Sequence, residues 1–116
     1  MTDTRPTTIG GAELAALIDR GADVAIVEAL PVAYYDDAHL PGALDLPHDS
    51  DDATIAEVLP DRARNVVVYC SNLACQNSTI LSRRLVQLGY TDVHDYEAGK
   101  QDWIDAGRPV VSNVAT

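Results

Sequence analysis

The sequence contains two cysteines, Cys70 and Cys75, and both lie in one short segment between an apolar run and a helical pattern. The apolar run, residues 66–69, leads directly into Cys70, and the helical pattern starts near Ser78. Cysteine reacts as the thiolate, and an unperturbed thiol, with a pKa near ~8.5, is mostly protonated at pH 7. The N–H groups and dipole of a helix N-terminus favour negative charge, so this layout predicts a reactive thiol with a lowered pKa.

Each cysteine has more than one interpretation at this point. Cys70 is either a reactive thiol or an inert residue that finishes a buried strand, and the order strand, cysteine, loop, helix favours the reactive thiol. Cys75 is an ordinary loop residue, a resolving thiol that forms a disulfide with Cys70, or itself the exposed nucleophile. The C-x4-C spacing has no second cysteine pair or histidine cluster beside it, so neither a metal nor a cofactor is predicted.

The residues between Cys70 and the helix are predicted to form the substrate-binding segment. Most are polar and could hydrogen-bond a neutral or singly charged group, and the last is predicted to cap the helix. The predicted segment consists of Ser71, Asn72, Leu73, Ala74, Cys75, Gln76, Asn77 and Ser78.

Strand and helix patterns alternate along the chain. Apolar runs at residues 24–27 and 66–69 are typical of strands buried on both faces of a parallel sheet. The alternation predicts an α/β domain with a central, mainly parallel, five-stranded sheet and helices on both faces. Because ligands bind at the carboxyl ends of such strands, Cys70 is predicted to lie at the site. The remaining predicted strands cover residues 7–9, 43–46 and 92–96, and the predicted helices cover 13–19, 31–36, 51–58, 78–88 and 100–106.

Composition limits the partners. The 116 residues fit one domain, and 47% are hydrophobic, enough for a core without disulfides or metals. A net charge of −10 argues against nucleic acid or an anionic membrane as a partner. No apolar run approaches the ~20 residues of a membrane span. Residues 1–11 lack the apolar core of a secretory signal, which favours a cytoplasmic location where thiols stay reduced.

The chain resembles the single-domain rhodaneses. Residues 66–110, from the valine run through Cys70 to the segment around Trp103, resemble the second half of such a domain. Residues 25–47 are similar to the first half, and the best match is His-Leu-Pro-Gly-Ala at 39–43. The resemblance covers about residues 8–110 of a single predicted domain, 1–116. It implies the rhodanese-like three-layer fold, with strand, catalytic cysteine, cradle loop and helix in that order.

The function that the resemblance implies is sulfur transfer. Cys70 would take the outer sulfur of a donor, hold it as a persulfide and pass it to a thiophilic acceptor. The implied partners are a small sulfur donor such as thiosulfate, or a protein persulfide, and an acceptor such as cyanide or a protein thiol. A ring of N–H donors would stabilise the anionic persulfide without a metal. Two alternatives are a redox protein using Cys70 and Cys75 as a thiol–disulfide pair, and a non-catalytic rhodanese-like binding module.

The sequence departs from the family pattern in the loop. The loop is longer than is common in the family, contains no glycine between Cys70 and Ser78, and has Asn77 where an arginine often stands. Its length is also similar to that of rhodanese-like phosphatases and arsenate reductases, but the arginine that grips their oxyanion is missing too. A doubly charged donor is therefore expected to find no cation in the loop.

Departures from the pattern also occur in the first half of the chain. Glu28 and Leu30 replace an aspartate and an arginine of the family, and Ala38 replaces a glycine. We expect Glu28 to orient the loop through its N–H groups or to be a plain supporting residue. His39 is predicted to bond to backbone in a structural turn, and Trp103 to anchor the core.

Overall fold

The strands and helices alternate along the chain in the computed structural model, which describes residues 6–113. Each predicted strand and helix is present, with ends that differ by one or two residues from the prediction. The strands are β1 (Thr7–Thr8), β2 (Val24–Glu28), β3 (Leu44–Asp45), β4 (Asn65–Tyr69) and β5 (Val93–Tyr96). The helices are α1 (Gly11–Asp19), α2 (Val32–Asp37), α3 (Asp52–Val58), α4 (Asn77–Gln87) and α5 (Gly99–Asp105).

The five strands form one sheet in the order β1-β5-β4-β2-β3, and every neighbouring pair is parallel. The prediction of a mainly parallel five-stranded sheet is confirmed. Strand β4 occupies the centre, paired along its length with β2 on one side and β5 on the other. Its valine-rich sequence suits this position, because a central parallel strand is covered on both faces.

Side chains of β4 alternate between two hydrophobic clusters. Val66 and Val68 pack with residues of α3 and α4 on one face of the sheet. Val67 and Tyr69 pack with residues of α1 and α5 on the other face. The sheet therefore lies between two layers of helices, and the residue after Tyr69 emerges at the carboxyl edge, where both layers leave the sheet open to ligands.

The N-terminus of α4 differs from the prediction. Ser78 was expected to be the N-cap, but the helix begins one residue earlier, at Asn77, and Gln76 occupies the cap position without a side-chain capping bond. Ser78 is wholly buried within the first turn. Its hydroxyl contacts the Cys70 sulfur instead of capping the helix. The sequence pattern does not reveal this contact.

Within residues 6–113, no helix has the length and apolar character needed to cross a membrane.

Candidate active site

Cys70 follows the last residue of β4 and has no solvent exposure. Its Sγ atom lies 3.3 Å from the carbonyl oxygen of Cys75 and 3.5 Å from the Oγ atom of Ser78. The chain thus turns back over Cys70 within five residues. Both cysteines are free thiols.

A turn centred on Asn72 brings Cys75 to this position. The Asn72 side-chain oxygen accepts hydrogen bonds from the N–H groups of Ala74, at 3.0 Å, and Cys75, at 3.2 Å. The Asn72 carbonyl accepts a further bond from the Cys75 N–H at 3.1 Å. Asparagine commonly closes such turns with its own side chain. The extra loop residues therefore form a compact turn that places Cys75 over Cys70.

The two thiols differ in their ionisation. Burial raises the pKa of Cys70, and hydrogen bonding with the Cys75 side chain raises it further, against opposing bonds from the Ser78 hydroxyl and N–H. Burial also opposes ionisation of Cys75, but the Cys70 side chain and the N–H groups of Asn77 and Ser71 outweigh it and lower the pKa of Cys75. The predicted lowering at Cys70 is wrong, because complete burial outweighs the N–H groups. The charge-stabilising N–H groups favour the neighbouring sulfur instead.

Helix α5 holds the Cys70 end of the loop. The Cys70 carbonyl accepts a 2.8 Å bond from the Lys100 N–H, and the Ser71 carbonyl accepts one of the same length from Gln101. The preceding Gly99 has a φ of +71°, and a Cβ atom there would lie 2.6 Å from the Cys70 carbonyl oxygen. This position therefore requires glycine, for its backbone conformation and for its close approach to the loop.

A buried ion pair supports the same end of the loop. Lys100 Nζ lies 2.8 Å from Glu28 Oε1, and it donates to the carbonyl oxygens of Tyr34 and Ala38 as well. Tyr69 donates its hydroxyl to the same Glu28 oxygen at 2.9 Å. Glu28 is fully buried and bonds these side chains rather than loop N–H groups. The cation of this buried network is Lys100, the only lysine in the sequence.

Asp95 is a site residue that the sequence reasoning missed. It lies on β5, is 4% exposed, and accepts a 2.8 Å bond from the hydroxyl of Thr79. Burial raises the pKa of Asp95, and hydrogen bonds from Ser78 and Thr79 oppose that shift. Ser78 therefore connects Asp95 to the sulfur of Cys70. Asp95 falls within the predicted strand over residues 92–96, but its contact with α4 depends on the pairing of β4 with β5, which the strand pattern does not contain.

Two of the three cations on α4 and α5 are paired with other groups. Arg84 donates to the Ser50 carbonyl and to Asp52 in the α3 region, and Lys100 is paired with Glu28. Arg83 is exposed, and Asp95 is among the groups with which it interacts. The expectation that a doubly charged donor finds no cation in the loop stays a prediction.

An open groove of about 330 Å³ runs beside the loop. On one side it is bounded by the turn, where the Leu73 side chain is 75% exposed. On the other it is bounded by α5, which contributes two carboxylates. The lining residues are Asn72, Leu73, Ala74, Ala98, Gln101, Asp102 and Asp105.

The predicted substrate-binding segment divides into two sets. Ser71, Cys75, Asn77 and Ser78 contact the sulfur atoms through backbone or side-chain groups. Asn72 closes the turn, and the other members, Leu73, Ala74 and Gln76, are exposed on its outer surface.

Two predictions made for residues outside the loop are confirmed. His39 is buried, and its Nδ1 atom bonds the Tyr35 carbonyl at 2.8 Å, in the structural turn expected for it. Trp103 is 2% exposed and packs in the core. Within residues 6–113, no group of three or more histidine, cysteine or acidic side chains is arranged to hold a metal ion.

Known proteins share the architecture described above. The family model for the rhodanese-like domain matches residues 11–106. No curated protein matches the chain by sequence. Among solved structures, the BH2092 protein from Bacillus halodurans aligns with a TM-score of 0.85 at 21% identity, over 92% of this chain and 77% of that one.

Two further structures carry descriptive names. A rhodanese-related protein from Thermoplasma volcanium aligns with a TM-score of 0.74 at 22% identity, over 90% of this chain and 97% of that one. A thiosulfate sulfurtransferase from Pseudomonas aeruginosa also gives 0.74 at 22% identity, over 95% of this chain but 21% of that one. At these identities the structures establish the fold. Together with the family match over most of its length, they show that this chain belongs to the rhodanese-like domain family.

Proposed function

We propose that the chain is a sulfurtransferase that carries sulfane sulfur as a persulfide on Cys70. The observation that carries this proposal is the position of Cys70, at the carboxyl end of the central strand and at the start of a loop with N–H groups facing two sulfur atoms. These N–H groups are donors suited to an anionic persulfide.

The thiol pair supplies the nucleophile. Because the two thiols interact, they ionise as a pair. After the pair loses its first proton, the negative charge resides mainly on Cys75. When the Cys70 proton passes to the Cys75 sulfur, the Cys70 thiolate attacks the outer sulfur of the donor. A new S–S bond forms, and the donor's bond to that sulfur breaks, with its electron pair leaving on the donor. An acceptor thiolate then attacks the outer sulfur, and Cys70 departs as the thiolate.

The charges near the site favour a donor of low charge. Lys100 and Arg84 are paired, and Asp102 and Asp105 line the groove. A dianion such as thiosulfate is repelled more strongly by these carboxylates than a monoanion or a neutral persulfide. We therefore propose a persulfide, on a small thiol or on a protein, as the donor class.

The persulfide assignment is tested by intact mass after treatment with a sulfur donor and removal of excess reagent. Cys75→Ser, which retains Cys70, is expected to gain about 32 Da, the mass of one sulfur atom, and Cys70→Ser to gain nothing. Added sulfur on Cys70→Ser at the level seen in Cys75→Ser would contradict the assignment. Near-native thermal melting of both variants is the control for folding.

The donor class is tested with two donors that transfer the same kind of sulfur. We expect kcat/KM for methanethiosulfonate, a monoanion, to exceed that for thiosulfate, a dianion, by at least about tenfold at low salt. The ratio is expected to shrink as ionic strength rises, because salt screens the carboxylates. A preference for thiosulfate at low salt would contradict the donor class and leave the Cys70 assignment intact.

A further inference from the structure

We propose that Cys75 is a resolving thiol, which cleaves the persulfide on Cys70 and releases hydrogen sulfide, leaving a Cys70–Cys75 disulfide. This inference rests on the proposed function, since it requires a persulfide on Cys70. It assigns the domain a second outcome besides transfer to an external acceptor: reduction of sulfane sulfur to sulfide by its own two thiols.

The fold of the loop places Cys75 at the reacting atom. The Cys75 carbonyl oxygen lies 3.3 Å from Cys70 Sγ, and the side chains of the two cysteines interact. The turn closed by Asn72 holds this arrangement with three hydrogen bonds. A thiol whose side chain contacts the reacting sulfur reacts as if present at very high concentration, compared with a thiol that diffuses in.

The burial of Cys70 also favours attack by Cys75 over attack by an external thiol. Cys70 has no solvent exposure, whereas Cys75 is partly exposed. The Cys75 side chain already contacts the Cys70 sulfur, whereas an external acceptor must first gain access to a buried atom. The Cys75 sulfur also has the lower pKa of the two thiols, because N–H groups of Ser71 and Asn77 and the Cys70 side chain stabilise its charge. A thiolate is the form that attacks an S–S bond.

The reaction balances without an added oxidant. The Cys75 thiolate attacks Cys70 Sγ, and a bond forms between these two sulfurs. The bond from Cys70 Sγ to the outer sulfur breaks, and the outer sulfur leaves with the electron pair; it takes up the proton that Cys75 loses on ionising and departs as HS⁻. The two cysteine sulfurs together lose two electrons, and the sulfane sulfur gains them. An external thiol then reduces the disulfide and restores the pair.

The two ends of the loop are held differently. The Cys70 end is fixed by backbone bonds from Lys100 and Gln101. The Cys75 end belongs to an exposed turn whose bonds are mostly internal. Disulfide formation moves Cys75 toward a fixed Cys70, so the adjustment falls on the segment that is easiest to move.

The experiment measures sulfide and intact mass in one sample. The full chain is loaded with methanethiosulfonate in the absence of other thiols, the donor is removed by desalting, and sulfide is followed with time. The native chain is expected to release about one sulfide per chain and to end about 2 Da lighter than its reduced form. Cys75→Ser is expected to keep about 32 Da of added mass and to release no sulfide. Sulfide release that is independent of protein concentration identifies an intramolecular step.

The outcomes separate the two proposals. If the native chain keeps its added sulfur as long as Cys75→Ser does and releases no sulfide, the resolving role is overturned and the persulfide on Cys70 stands. If Cys75→Ser never gains sulfur, the proposed function fails, and the resolving role fails with it. Cys75→Ala, tested in parallel, excludes an effect of the serine hydroxyl.

Discussion

The two cysteines lie five positions apart, but the protein holds them by different means. Cys70 is fixed by the core: the central strand precedes it, α5 bonds its carbonyl, and the buried pair of Glu28 and Lys100 supports α5. Cys75 is held by a local turn around Asn72, at the surface. A change in the residues that support the Cys70 end should therefore act on global stability, whereas a change in the turn that holds Cys75 should act on sulfur chemistry and leave the fold intact.

The largest expected effect comes from the support of the Cys70 end. Lys100→Met leaves Glu28, which is fully buried, without its cation. We expect the free energy of unfolding in urea to fall by about 3–5 kcal/mol, the usual cost of an unpaired buried charge. Adding Glu28→Gln removes the charge and should recover most of the loss. A fall below about 1 kcal/mol in Lys100→Met would show that the pair does not support this end.

The next effect contrasts the thiols directly. With a substoichiometric amount of iodoacetamide at pH 7.5, Cys75 is expected to be modified at least about tenfold faster than Cys70, because it is the more exposed and the more ionised. Peptide mass analysis assigns each modification. The contrast should disappear in urea, where both cysteines are equally solvated. Preferential modification of Cys70 in the folded protein would reverse the assignment of charge within the pair.

A pH effect tests the carboxylates near the Cys70 end. Burial, followed by Glu28 and Asp36, raises the pKa of Asp45 to about 6. Since the unfolded value lies near ~3.9, the folded state binds more protons between these values, and Asp45 lowers stability as pH rises through that window. Relative to Asp45→Asn, the native chain should lose about 1 kcal/mol between pH 4 and pH 7, because partial exposure screens the charge.

Urea unfolding at several pH values measures this difference. The exposed Asp49, changed to asparagine, serves as the control for the loss of one carboxylate near β3. A native chain that gains stability relative to Asp45→Asn over this range would contradict the assigned shift.

The smallest effect on stability is expected at the turn. Asn72→Ala removes the side-chain oxygen that bonds Ala74 and Cys75, but the turn is exposed, so we expect a loss of less than about 1 kcal/mol. Sulfide release from the loaded chain should nevertheless slow several-fold, because Cys75 is no longer held over Cys70. Asn72→Ser, whose hydroxyl can close a similar turn, should retain more of the rate. Equal rates in all three proteins would show that the turn does not position Cys75.

Sequence patterns were sufficient for the architecture. The valine runs predicted the buried parallel strands, and the position of Cys70 after such a run predicted its place at the carboxyl edge. The sequence pattern did not reveal which thiol carries the charge. That depends on how deeply the folded loop buries each sulfur and on which N–H groups reach it. The pairing of Glu28 with Lys100 was also hidden, since the two residues are distant in sequence and meet only when α5 packs on the sheet.

The same limit applies to the start of α4. A serine beside a helix start is usually a cap, and Ser78 was interpreted in that way. In the structure its hydroxyl lies between Cys70 and Asp95. That role depends on the register between β4 and β5, a three-dimensional relation that local spacing does not contain.

The burial of the only lysine has a practical consequence for following conformational opening. A lysine-specific protease has one cleavage site in the sequence, after Lys100, and this side chain is 11% exposed in the folded protein. Cleavage requires α5 to detach from Glu28 and from the carbonyl groups of Tyr34 and Ala38. A single proteolytic cut therefore reports how often the segment behind the cysteine loop opens, and comparing its rate before and after sulfur loading would show whether the bound sulfur tightens or loosens that segment.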